Sequence, residues 1–123
     1  MVIGILQFEL LIRGAESIKD KRRVVRSVKD RLHREHMVSV AEVGMQDSMG
    51  VARLGLAAVS GDARHLASVL DRITEKLRGL HDAELGEVWR EVLHGDQLPG
   101  EYEDEEGRPL WTPEESREWD AGE

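Results

Sequence analysis

Five cations share one helical spacing. Lys19, Arg22, Arg23, Arg26 and Lys29 fall at i, i+3, i+4, i+7 and i+10, which lines them along one stripe of an α-helix. Lys21 lies in the same run. Between Arg13 and Arg34, nine Lys and Arg stand against three Asp and Glu, a local net charge of +6. A row of ammonium and guanidinium groups at that spacing suits successive phosphates of a nucleic-acid backbone. The chemistry expected is phosphate contact by Lys19, Lys21, Arg22, Arg23, Arg26 and Lys29. The plain alternative is a solvated helix face whose long stems cover the edge of the core.

Other constellations are thinner. Gln46, Asp47 and Ser48 follow Glu42 in a loop bounded by Gly44 and Gly50. Two carboxylates there could bind a metal ion or form an acid–base pair. The competing reading is a turn in which Asp47 or Ser48 bonds its own backbone. His33 and His36 are three apart and could share zinc, yet no third ligand is apparent in the sequence. Histidines near a helix end also complement the negative end of its dipole.

Several chemistries are excluded outright. Cysteine is absent, so disulfides, thiolate nucleophiles and cysteine-ligated metal centres are out. Asparagine is absent as well. An acylphosphatase needs an anion-binding Arg, which Arg13 could be, and a water-positioning Asn, which the chain lacks. Phosphate-loop, dinucleotide-glycine and nucleophile-elbow patterns are missing. The expectation is a non-enzymatic protein without metal or cofactor.

The elements that position these groups are readable from periodicity. Gly4, Leu6, Phe8, Leu10 and Ile12 alternate with Ile3, Ile5, Gln7, Glu9 and Leu11, the pattern of a strand. Gly14 breaks it. Ser17 and Asp20 resemble a capping box. Ile18, Val25, Val28 and Leu32 then predict a helix to about His36. Met37–Val43 and Val51–Ser60 read as strands, the second with Leu54, Leu56 and Ala58 on one face. Asp62 is placed to cap a second helix with Leu66, Val69, Leu70, Ile73 and Leu77 as its stripe and Gly79 as its stop. Leu85–Leu93 closes with a fourth strand. The order β-α-β-β-α-β predicts an α+β fold, the ferredoxin-like sandwich, with a four-stranded antiparallel sheet and both helices on one face.

The domain is expected to end near residue 94. Residues 1–94 hold 15 Lys and Arg against 14 Asp and Glu, whereas residues 95–123 hold 2 against 11, a net of −9. Glu101-Tyr102-Glu103-Asp104-Glu105-Glu106 has too little apolar area to offset its ordering entropy. Residues 95–123 therefore read as an acidic, mostly disordered tail. Thr112-Pro113-Glu114-Glu115 carries the marks of a helix start within it, between Trp111 and Trp119. Folding of this tail back onto the basic helix, or of its tryptophans over the sheet, are the alternatives. No apolar run approaches the ~20 residues of a membrane span, and the N-terminus lacks the features of a signal peptide. The expected location is the cytoplasm.

Two phrases carry a family resemblance: Ser17-Ile18-Lys19-Asp20-Lys21-Arg22-Arg23-Val24-Val25, and Val38-Ser39-Val40-Ala41-Glu42-Val43-Gly44-Met45-Gln46-Asp47. With Leu54-Gly55 and Arg90-Glu91-Val92-Leu93, the chain over residues 1–94 resembles domain-of-unknown-function family 503, the YlxP-like bacterial proteins. It departs in its loop, where Ser48-Met49-Gly50 stands where the family often has an aromatic residue after Gln-Asp. The acidic tail also exceeds the usual family length. The resemblance implies a ferredoxin-like fold and no established activity. Genes of the family often neighbour translation-initiation and ribosome-maturation genes, which implies ribosomal RNA or a ribosomal subunit as partner.

Any RNA contact would be electrostatic rather than base-reading. RNA-recognition modules of this strand order stack bases on aromatics of the first and third strands. Here Phe8 faces the core, the third strand has no aromatic, and no GxxG loop exists. Reading of DNA sequence is not expected either. The uncovered sheet face offers a second surface, with Ile3, Ile5, Leu11 and Trp89 as the expected partner interface, most simply in a homodimer.

Overall fold

The computed structural model describes residues 1–95 and 106–107. Six elements follow one another: β1 (Val2–Leu11), α1 (Ile18–Glu35), β2 (Ser39–Gly44), β3 (Val51–Ser60), α2 (Ala63–Arg78) and β4 (Glu84–His94). The strands form one antiparallel sheet in the order β2-β3-β1-β4. This is the expected ferredoxin-like arrangement. The greater part of the acidic tail, including Trp111, Thr112 and Trp119, lies outside the described residues.

The strand phase follows the alternation in the sequence. Val2, Gly4, Leu6, Phe8 and Leu10 are buried, and so are Ala52, Leu54, Leu56 and Ala58 across the β1–β3 register. These side chains meet Val25, Val28 and Leu32 of α1 and Leu66, Leu70, Ile73 and Leu77 of α2 in one core. Each fully buried aliphatic or aromatic side chain contributes roughly 1.5–3 kcal/mol by leaving water. Gly4 is where α2 comes closest to β1: a Cβ there would stand 3.0 Å from Leu70 Cδ1. That close approach sets the depth at which α2 sits on the sheet.

The helix starts obey local chemistry. Ser17 Oγ accepts from Asp20 N–H at 3.1 Å, and Asp20 Oδ2 accepts from Glu16 N–H at 3.1 Å. The box thus closes with Asp, its return bond reaching one residue further back than usual. Asp62 Oδ1 accepts from Arg64 N–H and His65 N–H, and Gly79 ends α2. Two strands differ slightly in their bounds from expectation, β2 also ending one residue later, at Gly44. β2 begins at Ser39 rather than Met37, because His36 ends α1 in an extended conformation and its N–H still bonds Leu32 O. β4 runs one residue further at each end than Leu85–Leu93.

Candidate functional site

Helix α1 has an apolar base and two different flanks. At 100° per residue, Val24, Ser27 and Glu35 share the flank turned toward α2. Val24 and Ser27 border a cleft with Arg78 and the Leu80–Glu84 turn, and Glu35 pairs with Lys76. Arg22, Arg26, Lys29 and Lys19 occupy the other flank, which turns away from α2 on the side of β2. Lys19, Arg22 and Arg26 are exposed and Lys29 is half-buried. Among the described residues, none of these four has a carboxylate partner. Lys19, Asp20, Arg22, Arg23 and Arg26 line an open groove of about 570 Å³ along this surface.

Arg23 is exposed but already engaged, its Nη2 2.5 Å from Asp20 Oδ1. Such an exposed i, i+3 pair is worth little and is easily exchanged for a phosphate. Arg31 and Arg34 are also exposed on α1. They fall outside the expected stripe, although the charge count between Arg13 and Arg34 includes them.

Lys21 corrects the expected phosphate set. It is 1% exposed, beneath the helix rather than on its surface. Its Nζ donates to Met45 O at 2.5 Å and lies 3.4 Å from Glu42 Oε2. The physical reason is position: Lys21 precedes Val25 by one helical turn, so it lies on the stripe of Val25, Val28 and Leu32. A cation held there needs an anion and a carbonyl. Glu42 supplies the first because it shares the core side of β2 with Val40. Met45 supplies the second from a left-handed backbone conformation, φ 60°.

This pair also decides the reading of the loop. Glu42 is committed to Lys21, and its Oε2 has no hydrogen-bond partner among the described residues. Ser48 N–H donates to Met45 O at 3.1 Å, and Ser48 Oγ accepts from Val51 N–H at 3.2 Å. The loop is therefore a turn with Ser48 bonding its own backbone, and Asp47 stands exposed in it. Among the described residues, no group of three His, Asp or Glu side chains is placed to hold a metal ion.

At the far end of α1, Lys76 Nζ donates to Glu35 Oε2 and lies 3.2 Å from His36 Nε2. The hydrogen bond from Lys76 holds the Glu35 carboxyl below its usual range. Partial burial, reinforced by the Lys76 charge, holds the His36 imidazole below its ordinary value. The Lys76 ammonium thus stands at the His36 ring nitrogen, and a zinc ion shared with His33 would have to displace it.

The face of the sheet opposite the two helices, uncovered among the described residues, gathers most, not all, of the expected interface. Register places Ile3 opposite Val59 and Leu93, Ile5 opposite Ala57 and Glu91, and Gln7 opposite Trp89. Ile3, Ile5 and Trp89 therefore adjoin, with Trp89 51% and Val59 65% exposed. Leu11 stands apart. Gln7 and the Glu9–Arg53 pair, 2.8 Å, separate it from Ile5 along β1.

A cleft of about 810 Å³ at one end of the sandwich was invisible in the sequence, because its walls come from three separate segments, 11–15, 20–27 and 78–84. Leu11, Ile12, Ala15, Val24, Leu80 and Ala83 form its apolar part. Arg13 pairs with Glu84 at 3.0 Å on its rim, and Arg23 pairs with Asp20. Arg13, Arg23 and Arg78 are balanced there by Asp20, Asp82 and Glu84, so the lining's net charge favours neither an anion nor a cation.

Comparison with known proteins agrees with this architecture in extent. A family model described as protein of unknown function (DUF503) matches residues 3–90. A curated relative, the uncharacterized protein YlxP of Bacillus subtilis (strain 168), is 33% identical over 72 residues, 58% of this chain and 78% of that one. No helix among the described residues is long and apolar enough to cross a membrane.

Proposed function

From a chain that belongs to the DUF503 family of unknown function, we propose a cytoplasmic, non-catalytic RNA-associated factor that grips phosphates through the outer flank of α1. One observation supports it: Lys19, Arg22, Arg26 and Lys29 form a row of cations without carboxylate partners among the described residues. Unpaired cations carry no cost of breaking an ion pair when a phosphate arrives. The row spans about 15 Å at 1.5 Å per residue, room for about four phosphates at ~3.4 Å per strand. Arg23 joins by releasing Asp20. Ribosomal RNA is the partner to test first.

The test is salt dependence, read by fluorescence anisotropy with a labelled single-stranded RNA and the full chain. Four contacts give a log–log slope of about −3, hence roughly a sixtyfold loss of affinity between 50 and 200 mM salt. A slope near zero refutes the reading. Exposure of Val59 and Trp89 favours a second reading, self-association through the uncovered sheet face, which apolar packing would make insensitive to salt.

A further inference from the structure

The sheet has two edges, and they are defended differently. Edge strands expose unpaired backbone groups and are commonly protected by charged side chains, proline or bulges. β4 carries Glu84, Glu87, Arg90 and Glu91 along its length, with a register shift opposite Glu9. β2 reads Ser39-Val40-Ala41-Glu42-Val43-Gly44. Its one charged side chain turns inward to Lys21, and its register shift comes only at the end, between Glu42 and Gly44. Ser39, Ala41 and Val43 are exposed, and Met37 just before them is 97% exposed. Among the described residues, no backbone hydrogen bond from outside the sheet reaches Ser39–Val43.

Over this open edge lies the cationic flank of α1. We propose that β2 accepts an extended acidic segment of a partner protein as a fifth strand, its carboxylates alternating toward Arg22, Arg26 and Lys29. A strand added to an edge continues the sheet's alternation. Its side chains level with Val40 and Glu42 point into the helix layer, where Arg22 and Lys29 lie nearest the sheet. Those level with Ser39, Ala41 and Val43 point to the uncovered face, beside small and apolar groups. The segment that fits therefore alternates acidic and apolar residues.

Charge selects this occupant over a second copy. Two-fold pairing of β2 with β2 would bring two α1 flanks together, each bearing Lys19, Arg22, Arg26 and Lys29, and like charges so placed repel. A nucleic acid can occupy the flank but has no amide ladder with which to fill the edge. Phosphate binding and strand addition thus use the same cations and exclude one another, yet only the second alters β2.

The experiment is amide hydrogen exchange by NMR on the labelled full chain, with the peptide acetyl-Glu-Val-Glu-Val-Glu-Val-Glu-amide. Added peptide should slow exchange of amides within Ser39–Gly44 that exchange freely beforehand. Arg22→Glu with Lys29→Glu should weaken the peptide at least tenfold while the rest of the spectrum stays native. Single-stranded RNA in place of peptide should slow no β2 amide, so loss of RNA binding and loss of peptide binding are read separately. The proposal is overturned if β2 exchange is unchanged at millimolar peptide, or if a block-sequence peptide of equal composition binds as well. It is also overturned if these amides are already protected in the free chain. Protection independent of concentration would assign the edge to the chain's own acidic segment, and concentration-dependent protection to a second copy.

Discussion

Replacing Lys21 by Met separates a structural lysine from a phosphate contact. Methionine keeps the length and the apolar stem but removes the charge that faces Glu42 at 3.4 Å and the donor to Met45 O. Glu42 is left with a buried, unbonded Oε2. Removing one partner of a buried ion pair costs about 3–5 kcal/mol. The Glu42 side chain is 22% exposed, so water relieves part of that and about 3 kcal/mol is expected. That is roughly a hundredfold in the folding equilibrium, a large share of a typical ~5–15 kcal/mol. Urea unfolding followed by circular dichroism should show the midpoint falling by about 1.5 M at an m-value near 2 kcal/mol/M. Adding Glu42→Leu should restore most of the loss, since buried pairs are often replaceable by apolar residues. Lys19→Met, on the exposed flank, should change stability by less than about 0.5 kcal/mol. A shift below about 0.3 M for Lys21→Met would show that Lys21 does not hold Glu42 as a buried ion pair. So would a loss of RNA affinity with stability intact.

Gly4→Ala places a methyl 3.0–3.1 Å from the methyls of Leu70 and Leu66, both fully packed, and should cost about 1–2 kcal/mol by overpacking, measured by the same unfolding assay. Acid should loosen the α1–α2 tie in two stages. His36 has a lowered pKa when folded, so as pH falls below 6.5 the unfolded chain protonates first and stability declines. The lowered Glu35 adds stability above its ordinary 4.5 that is lost as pH falls through its folded value. His36→Gln should remove the first stage and keep the second in thermal melts across pH. Val59→Lys, on an exposed position, should leave the melting temperature unchanged. It should also abolish any concentration-dependent mass increase in sedimentation equilibrium, and an increase that persists would remove the sheet face as its cause.

The core was legible because strands and helices bury residues at fixed periods. Leu6, Phe8 and Leu10 announce their common face, and Val25, Val28 and Leu32 theirs. The same rule also marks Lys21, one turn before Val25, yet a run of six cations reads first as a solvated row. Its partner Glu42 lies 21 residues away on another element, and only the folded register brings them together. Leu11 shows a second limit. Alternation assigned it correctly to the uncovered face but could not show that Gln7, Glu9 and Arg53 isolate it from Ile5. Edge exposure of β2 depends on strand order, a non-local property. The cleft rimmed by the Arg13–Glu84 pair depends on loop packing, which has no period at all.

Binding of RNA phosphates by the cations of the outer α1 flank, as proposed, is open to direct test. Co-sedimentation of the full chain with purified ribosomal subunits, from low to moderate salt, tests it on the expected partner. Co-migration with one subunit is expected, fading as salt rises and disappearing in the Arg22→Glu, Arg23→Glu, Arg26→Glu variant. Absence of co-migration at low salt, or equal co-migration of that variant, would contradict it.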